Sequence, residues 1–224
     1  MTTSIEDQLR SGSDNLGLVL SEVQIERLLN FLQMLLKWNQ VYNLTALRNP
    51  QDMLSHHLLD SLAVINPLKV HIQQSGYDLV GLPVKLLDVG SGAGLPGVVI
   101  AICCPDIMVH CIDAVSKKMA FVQQVSSVLG ITNLLGIHSR VEDLRSQYSI
   151  VTSRAFSSLV DFVSVSTGVL DQNGSWMAMK GKLPVLEMQV LPHDIDMFHV
   201  EHLNVPRLDA ERCLVWMRKR MASV

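Results

Sequence analysis

Residues 86–97 read Leu-Leu-Asp-Val-Gly-Ser-Gly-Ala-Gly-Leu-Pro-Gly: an apolar strand, a glycine turn and then an apolar helical run from Val98 to Ile102. Gly90, Gly92 and Gly94 have no Cβ and take positive φ freely, so the backbone can turn sharply while a ligand lies directly against it. Such a turn cradles a nucleotide-type cofactor. Asp88, two residues before the first glycine, bears on which one. A carboxylate there repels a pyrophosphate, whereas it orders the turn and attracts a cationic ligand such as a sulfonium with its amino-acid ammonium. S-adenosylmethionine (SAM) therefore fits the stretch better than NAD.

The chain has 224 residues, 48% of them hydrophobic, which suits one α/β unit with a small appendage. No uninterrupted apolar run of about 18 residues occurs, and the first residues lack the basic-then-apolar pattern of a signal peptide. A cytoplasmic protein with no membrane association is expected. Cys103, Cys104, Cys111 and Cys213 form no C-x-x-C pair and sit inside apolar runs, so they read as small core residues. The histidines show no metal-ligand spacing such as H-E-x-x-H, and no metal is expected. A net charge of −3 excludes a generally electrostatic nucleic-acid binder. Any RNA partner must be held by a local basic patch.

Ser21 and Gln24 form a capping box ahead of Ile25, Leu28, Leu29, Leu32, Leu35 and Leu36 at helical spacing, which predicts a helix over 21–37. Turn-prone asparagines mark 38–45, and a second helical segment runs from about Gln51 to Ile65, ending near Asn66-Pro67. Residues 1–75 thus read as an N-terminal helical subdomain and 76–224 as a sheet domain, entered through a linker from Gly76 to Pro83. Runs at 84–89, 107–112, 133–138 and 148–153 alternate with helical ones, the pattern of a parallel, doubly wound sheet. Three more runs, 174–179, 196–203 and 212–217, bring the strand count to seven. That is the count of a Rossmann-like class I SAM-methyltransferase sheet, whose last pair resembles an antiparallel hairpin. Neither an internal repeat nor a low-complexity tract interrupts this order.

In a doubly wound sheet, ligands sit beyond the carboxyl ends of the strands. The second run ends at Asp113, 23 residues after Gly90, the spacing at which an acid accepts two ribose hydroxyls. Ser116 then caps the next helix, and Lys117 and Lys118 face either solvent or an RNA phosphate. The third run ends in His138-Ser139-Arg140-Val141-Glu142-Asp143, a polar turn over the adenine position. Its acids also suit the first turn of a helix, but the place in the series of strand ends favours a cofactor role for Glu142. The fourth ends in Ser153-Arg154-Ala155-Phe156, which puts a cation and an aromatic ring where the transferred methyl belongs. His57 and Ser61 stand at i, i+4 beside Asp60, yet residues so close on one helix do not reach acyl-transfer geometry, and no G-x-S-x-G elbow occurs. Packing or hydrogen bonding between subdomains is the expected role of this group.

Taken together, Trp38-Asn39-x-x-x-Asn43-Leu44-Thr45, His57-Leu58-Leu59-Asp60-Ser61-Leu62, the glycine stretch 88–97 and Ser153-Arg154-Ala155-Phe156 resemble the RsmG (GidB) family, in order and spacing, over roughly residues 20–182. These are bacterial methyltransferases that act on guanine N7 in a decoding-region loop of 16S ribosomal RNA. The resemblance implies that Gly90, Leu95, the Val141-Glu142 turn and Arg154 contact SAM and that Asp113 holds the ribose; the reading of the glycine turn itself adds Asp88, Gly92 and Gly94 to the expected cofactor site. It places Lys180-Gly181 near the RNA. The chain departs from the family pattern at Asp113, where Glu is commoner, at Ser149, where Asp is common, and over 183–195. The shorter acid must approach the ribose more closely or bridge through water.

Guanine N7 carries an in-plane lone pair and no proton, so the implied reaction is a direct in-line displacement that needs no general base. Arg154 is then a positioning residue, and Phe156 is available for stacking on the base. Candidate RNA contacts are Lys117, Lys118, Arg140, Phe156, Lys180 and Lys182, with Arg10, Lys37, Arg48 and Arg218-Lys219-Arg220 as further cations. The expected partner of this SAM-dependent enzyme is 16S rRNA or the small ribosomal subunit, met by a monomer. Two competing readings remain at this stage. Gly92-x-Gly94-x-x-Gly97 formally matches a dinucleotide fingerprint, with Asp113 at 21 residues in that register. A protein of the same fold could also bind rRNA as an assembly factor without turnover.

Overall fold

Among the described residues of this computed structural model, 4–77, 83–154 and 156–220, seven strands build one sheet. They are β1 (Lys85–Val89), β2 (Met108–Asp113), β3 (Leu134–His138), β4 (Tyr148–Ser153), β5 (Leu170–Lys180), β6 (Ile195–His202) and β7 (Cys213–Lys219). Their order is β3-β2-β1-β4-β5-β7-β6, with β7 antiparallel to both its neighbours and the first five strands parallel. The strand order reverses at β1, whose connections lead to β2 on one side and whose other edge pairs with β4. The carboxyl ends of β1, β2 and β4 therefore flank a crevice at a topological switch point.

Alternation along the strands divides the core. Leu86, Val109, Cys111, Ile150, Met177, Leu214 and Trp216 face one side, and Leu87, Ile112, Val151, Trp176, Cys213 and Val215 the other. The first face is covered by α6 (Gly97–Cys103), buried along its whole length, and α7 (Ser116–Val128). Over these lie the N-terminal helices α1 (Ile5–Asn15) and α2 (Glu22–Tyr42), so that one apolar cluster runs from Leu9 through Leu28, Phe31 and Phe121 to the sheet. The second face is covered by α8 (Leu159–Ser166) through Leu159, Phe162 and Val163. The four cysteines are buried thiols within this packing.

The helical region differs from its sequence reading in ways that matter for the site. The Ser21–Gln24 capping box is present, but α2 continues four residues past Trp38 to Tyr42 and ends on Asn43 with φ 50°. The tertiary contacts of Trp38 with Phe121 and of buried Asn39 outweigh the turn propensity of the asparagines. The segment expected as one helix over 51–65 consists of α3 (Pro50–Met53), a π-helical turn (Leu54–Leu59) and α4 (Asp60–Leu62). Proline does not stop the chain at 67: α5 (Ile65–Ser75) starts before it and carries Pro67 in its first turn, where no backbone N–H is required. Ser116 opens α7 without capping it; no side chain serves that end. Most of the linker expected over 76–83 lies outside the described residues.

Gly97 marks where strand, turn and helix are pressed together. A Cβ at this position would overlap Cys111 Sγ and lie 2.9 Å from Asp88 Oδ2. Gly97→Ala is expected to destabilise the protein by about 1–3 kcal/mol, read as a lower urea midpoint at unchanged slope. A midpoint equal to that of the parent would contradict this packing.

Candidate active site

The glycine turn is held by the neighbouring strand. Ile112 O accepts from both Gly90 N at 2.9 Å and Ser91 N at 3.1 Å, which folds the chain back over the end of β2. Gly90, Gly92 and Gly94 have φ of 65°, 60° and 83°. A Cβ on Gly92 would meet nothing within 4 Å, so glycine is required there by conformation and leaves open space above the backbone. Beneath the turn, Asp88 Oδ2 accepts from Gly97 N at 2.8 Å, tying the strand end to the first turn of α6. This is the ordering of the turn expected of Asp88. The side chain is fully buried, and Oδ1 has no hydrogen-bond partner among the described residues. Burial raises the Asp88 carboxyl to about 7, against the opposing pull of the Gly97 N–H and Arg154.

Asp113 stands beside the turn at the end of β2, with both oxygens engaged. Oδ2 accepts from Gly92 N at 3.1 Å and from Lys118 Nζ at 3.1 Å, and Oδ1 accepts from Val115 N at 2.9 Å. Lys118, one of the candidate RNA contacts, is thus ion-paired within the site. Lys117 and Arg140 are exposed. Beyond β3, Val141–Asp143 form a 3₁₀ turn with Val141 buried and Glu142 exposed; Leu95 is buried in the glycine turn.

Arg154, one residue beyond β4, reaches across to the helical region. Nη1 donates to His56 O at 2.8 Å and to Asp60 Oδ2 at 3.2 Å, while Nη2 lies 3.4 Å from His57 Nδ1. A guanidinium only donates, so His57 Nδ1 is unprotonated and Nε2–H points to Thr45 Oγ1 at 2.9 Å. Burial, reinforced by the Arg154 charge, lowers His57 to about 4 and keeps it neutral. The loop carrying Thr45 is itself fixed by Asn39, which accepts from Thr45 N and donates to Leu47 O, both at 2.8 Å. The two asparagine- and histidine-containing motifs of the helical region are therefore one scaffold, and its output is the orientation of Arg154. Phe156 lies by the turn, with Cε2 3.9 Å from where a Gly90 Cβ would be, and packs against Phe162.

One residue of this arrangement escaped the sequence reading. Arg212 donates from Nε to Asp60 Oδ1 at 2.8 Å, opposite Arg154. It immediately precedes β7, and because β7 is antiparallel its amino end lies at the carboxyl edge of the parallel strands, opposite Lys180. Only the strand direction could have pointed to it. Arg154, Lys180, Gly181 and Arg212, together with His56 and Leu47, line a cavity of about 360 Å³. Lys180 is bound to Glu187 at 2.8 Å, and Lys182 is exposed. Other candidate cations are spent elsewhere: Arg10 on Glu6 and Glu22, Arg218 on Asp196, and Lys219 on backbone carbonyls. Among the described residues no group of three His, Cys, Asp or Glu side chains is placed to hold a metal, and no helix is long and apolar enough to cross a membrane.

Residues 24–215 match the family described as GidB: rRNA small subunit methyltransferase G. Among curated relatives, the ribosomal RNA small subunit methyltransferase G of Acidovorax sp. (strain JS42) is 56% identical over 217 residues, covering 96% of both chains. The protein of the same name from Albidiferax ferrireducens is 54% identical, covering 96% of this chain and 97% of its own. Solved structures share the fold at much lower identity. TrmN from Thermus thermophilus superposes with a TM-score of 0.51 at 14% identity, over 75% of this chain and 53% of its own. The ribosomal protein L11 methylase from Lactobacillus delbrueckii subsp. bulgaricus gives 0.51 at 15%, over 77% and 80%.

The raised Asp88 pKa sets a pH dependence. Between its ordinary value of 3.8 and about 7 the native state holds a proton that the unfolded chain has lost, so this group's contribution to stability falls as pH rises through that window. Asp88→Asn keeps an acceptor for Gly97 N and removes the titration. Thermal melts from pH 4 to 8 are expected to show the difference in Tm moving in favour of Asp88→Asn up to about pH 7 and levelling above it; a constant difference would mean that Asp88 is ionised throughout.

Proposed function

We propose, from the premise that the chain belongs to the rRNA small subunit methyltransferase G (GidB) family, that it transfers the methyl group of SAM to N7 of a guanine in 16S ribosomal RNA. The nicotinamide reading of Gly92-x-Gly94-x-x-Gly97 gives way to the family match over residues 24–215. One observation supports the site above the others: the glycine turn, Asp113 and Arg154 stand at adjacent strand ends where the strand order reverses.

The residues present fit SAM. The open backbone at Gly90 and Gly92 receives the nucleoside, next to the Leu95 segment and the Val141-Glu142 turn. Asp88, buried beneath the turn with Oδ2 on Gly97 N and Oδ1 unpartnered among the described residues, attracts the cationic methionine moiety when ionised. Asp113 takes the ribose hydroxyls when its bonds to Gly92 N and Lys118 yield. When bound, SAM supplies a methyl group activated on a sulfonium. Guanine N7 presents a lone pair in the ring plane and no proton, so no residue of the chain has to act as a base. The protein's own part is to orient and to exclude water. Arg154, gripped by Asp60, His56 O and His57, is a rigid positioning group beside the acceptor. Phe156 offers a ring face for the base. Lys117, Arg140, Lys180 and Lys182 are the proposed RNA contacts, joined by Lys118 once it leaves Asp113. The N-terminal helices up to residue 75 act as a subdomain that holds Arg154 in place, and the enzyme works as a monomer in the cytoplasm.

Tritiated-methyl transfer to small subunits and to stripped 16S rRNA tests the reaction, with borohydride–aniline cleavage mapping N7-methylguanine in cells with and without the gene. A cleavage site present only with the gene is expected. Identical patterns would refute the assignment, and SAM and rRNA binding without transfer would favour an assembly factor. Arg154→Ala is expected to lower kcat/KM by about 100-fold or more, since it leaves Asp60 buried with one partner fewer and frees the acceptor pocket to shift. Wild-type kinetics in this variant would remove Arg154 from the site.

A further inference from the structure

The cavity between the π-helical turn and the ends of β4 and β5 has a charge pattern that the cofactor does not account for. Three cations, Arg154, Lys180 and Arg212, line it against one carboxylate, Asp60, in a chain whose net charge is −3. It opens on the β4–β5–β7 side of the glycine turn, on the far side of β1 from Asp113 and β2. Asp60 cannot read a guanine edge from here: its side chain is 3% exposed, and each oxygen is taken by an arginine. Arg212 differs. Nε is fixed on Asp60 and Nη1 on Glu211 O, while Nη2 has no hydrogen-bond partner among the described residues. A guanidinium fixed through two of its nitrogens on separate acceptors presents its remaining N–H groups in a set direction, which suits a phosphate. Lys180 stands across the same cavity, its ammonium held by Glu187 at 2.8 Å and near Phe156 O at 3.4 Å.

We propose that Arg212, with Lys180 opposite, clamps a backbone phosphate of the RNA next to the target nucleotide, and that Asp60 is the positioning residue that aims both Arg212 and Arg154. This rests on the reading of the chain as an rRNA methyltransferase. The buried carboxylate couples two functions: one arginine orients the acceptor, the other anchors the strand that carries it. Asp60 and Glu187 together balance two of the three cations, and a phosphate seated there brings the remaining countercharge. It fixes the register of the RNA without reading its sequence.

The test measures binding of stripped 16S rRNA by full-length Arg212→Gln, Arg212→Lys and Lys180→Gln over a series of salt concentrations, beside SAM affinity by calorimetry. Arg212→Gln is expected to weaken rRNA binding about tenfold and to lower the slope of log K against log salt by about 0.7. SAM affinity should stay within about twofold of wild type, and Arg212→Lys, which keeps the charge, should retain the slope. A wild-type slope in Arg212→Gln, a slope lost equally in Arg212→Lys, or SAM affinity falling in step with RNA affinity would overturn the clamp. Lys180→Gln does not touch Asp60 and reads the same clamp should Arg212→Gln fail to fold: a lowered slope supports it and an unchanged slope refutes it. Absence of methyl transfer by the wild-type protein would instead sink the functional reading, and the salt slopes would still decide whether a phosphate is held.

Discussion

A single buried carboxylate, Asp60, joins segments 94 and 152 residues away in the chain by holding Arg154 and Arg212 at once. Charges withdrawn from water gain little net stability from pairing, because desolvation offsets most of the attraction. Removing one member is another matter: it strands the others, at a cost of about 3–5 kcal/mol. The hub is therefore better understood as a device for geometry than as a source of stability. It obliges the helical region, β4 and β7 to meet in one arrangement, and the π-helical turn serves that end by setting Asp60, His57 and the His56 carbonyl toward one guanidinium.

The two halves of the site are made of different material. Around the glycine turn the contacts are mostly backbone: the amides of Gly90 and Ser91 on Ile112 O, Gly92 N on Asp113, Gly97 N on Asp88. Backbone geometry is set by strand pairing and by positive φ, so it is rigid before any ligand arrives. Around the cavity at the ends of β4 and β5 the contacts are made by long side chains, Arg154, Lys180 and Arg212, which owe their order to partners brought in by the tertiary fold. Asp113 lies between these regimes. Its carboxylate is occupied by Gly92 N, Val115 N and Lys118, a local arrangement made by backbone and side chain together.

Much of this was legible in the residues. Strand runs at 84–89, 107–112, 133–138 and 148–153 correspond to β1–β4 within a residue at each end, because parallel strands packed under helices are short, mostly apolar runs bounded by polar turns. Capping by Ser21 was legible because it is local. The helical region was read less well. A π turn has no periodicity signal of its own, and neither the passage of α2 through Trp38-Asn39 nor the start of α5 ahead of Pro67 is dictated nearby; each follows from what the segment packs against. Lys118 was read as facing solvent or RNA because a sequence shows charge and not partner.

The sequence by itself determined the class of fold and the glycine turn, since these depend on conformational freedom, short-range hydrogen bonding and apolar alternation, all of which act over a few residues. Tertiary structure alone decided the cluster around Asp60. Arg212 joins Arg154 only because β7 runs against its neighbours and delivers its amino end to the edge where the parallel strands finish. Asp60 becomes a hub only because the helical region folds over that same edge, and contacts spanning so much chain leave no local trace in the residues that make them.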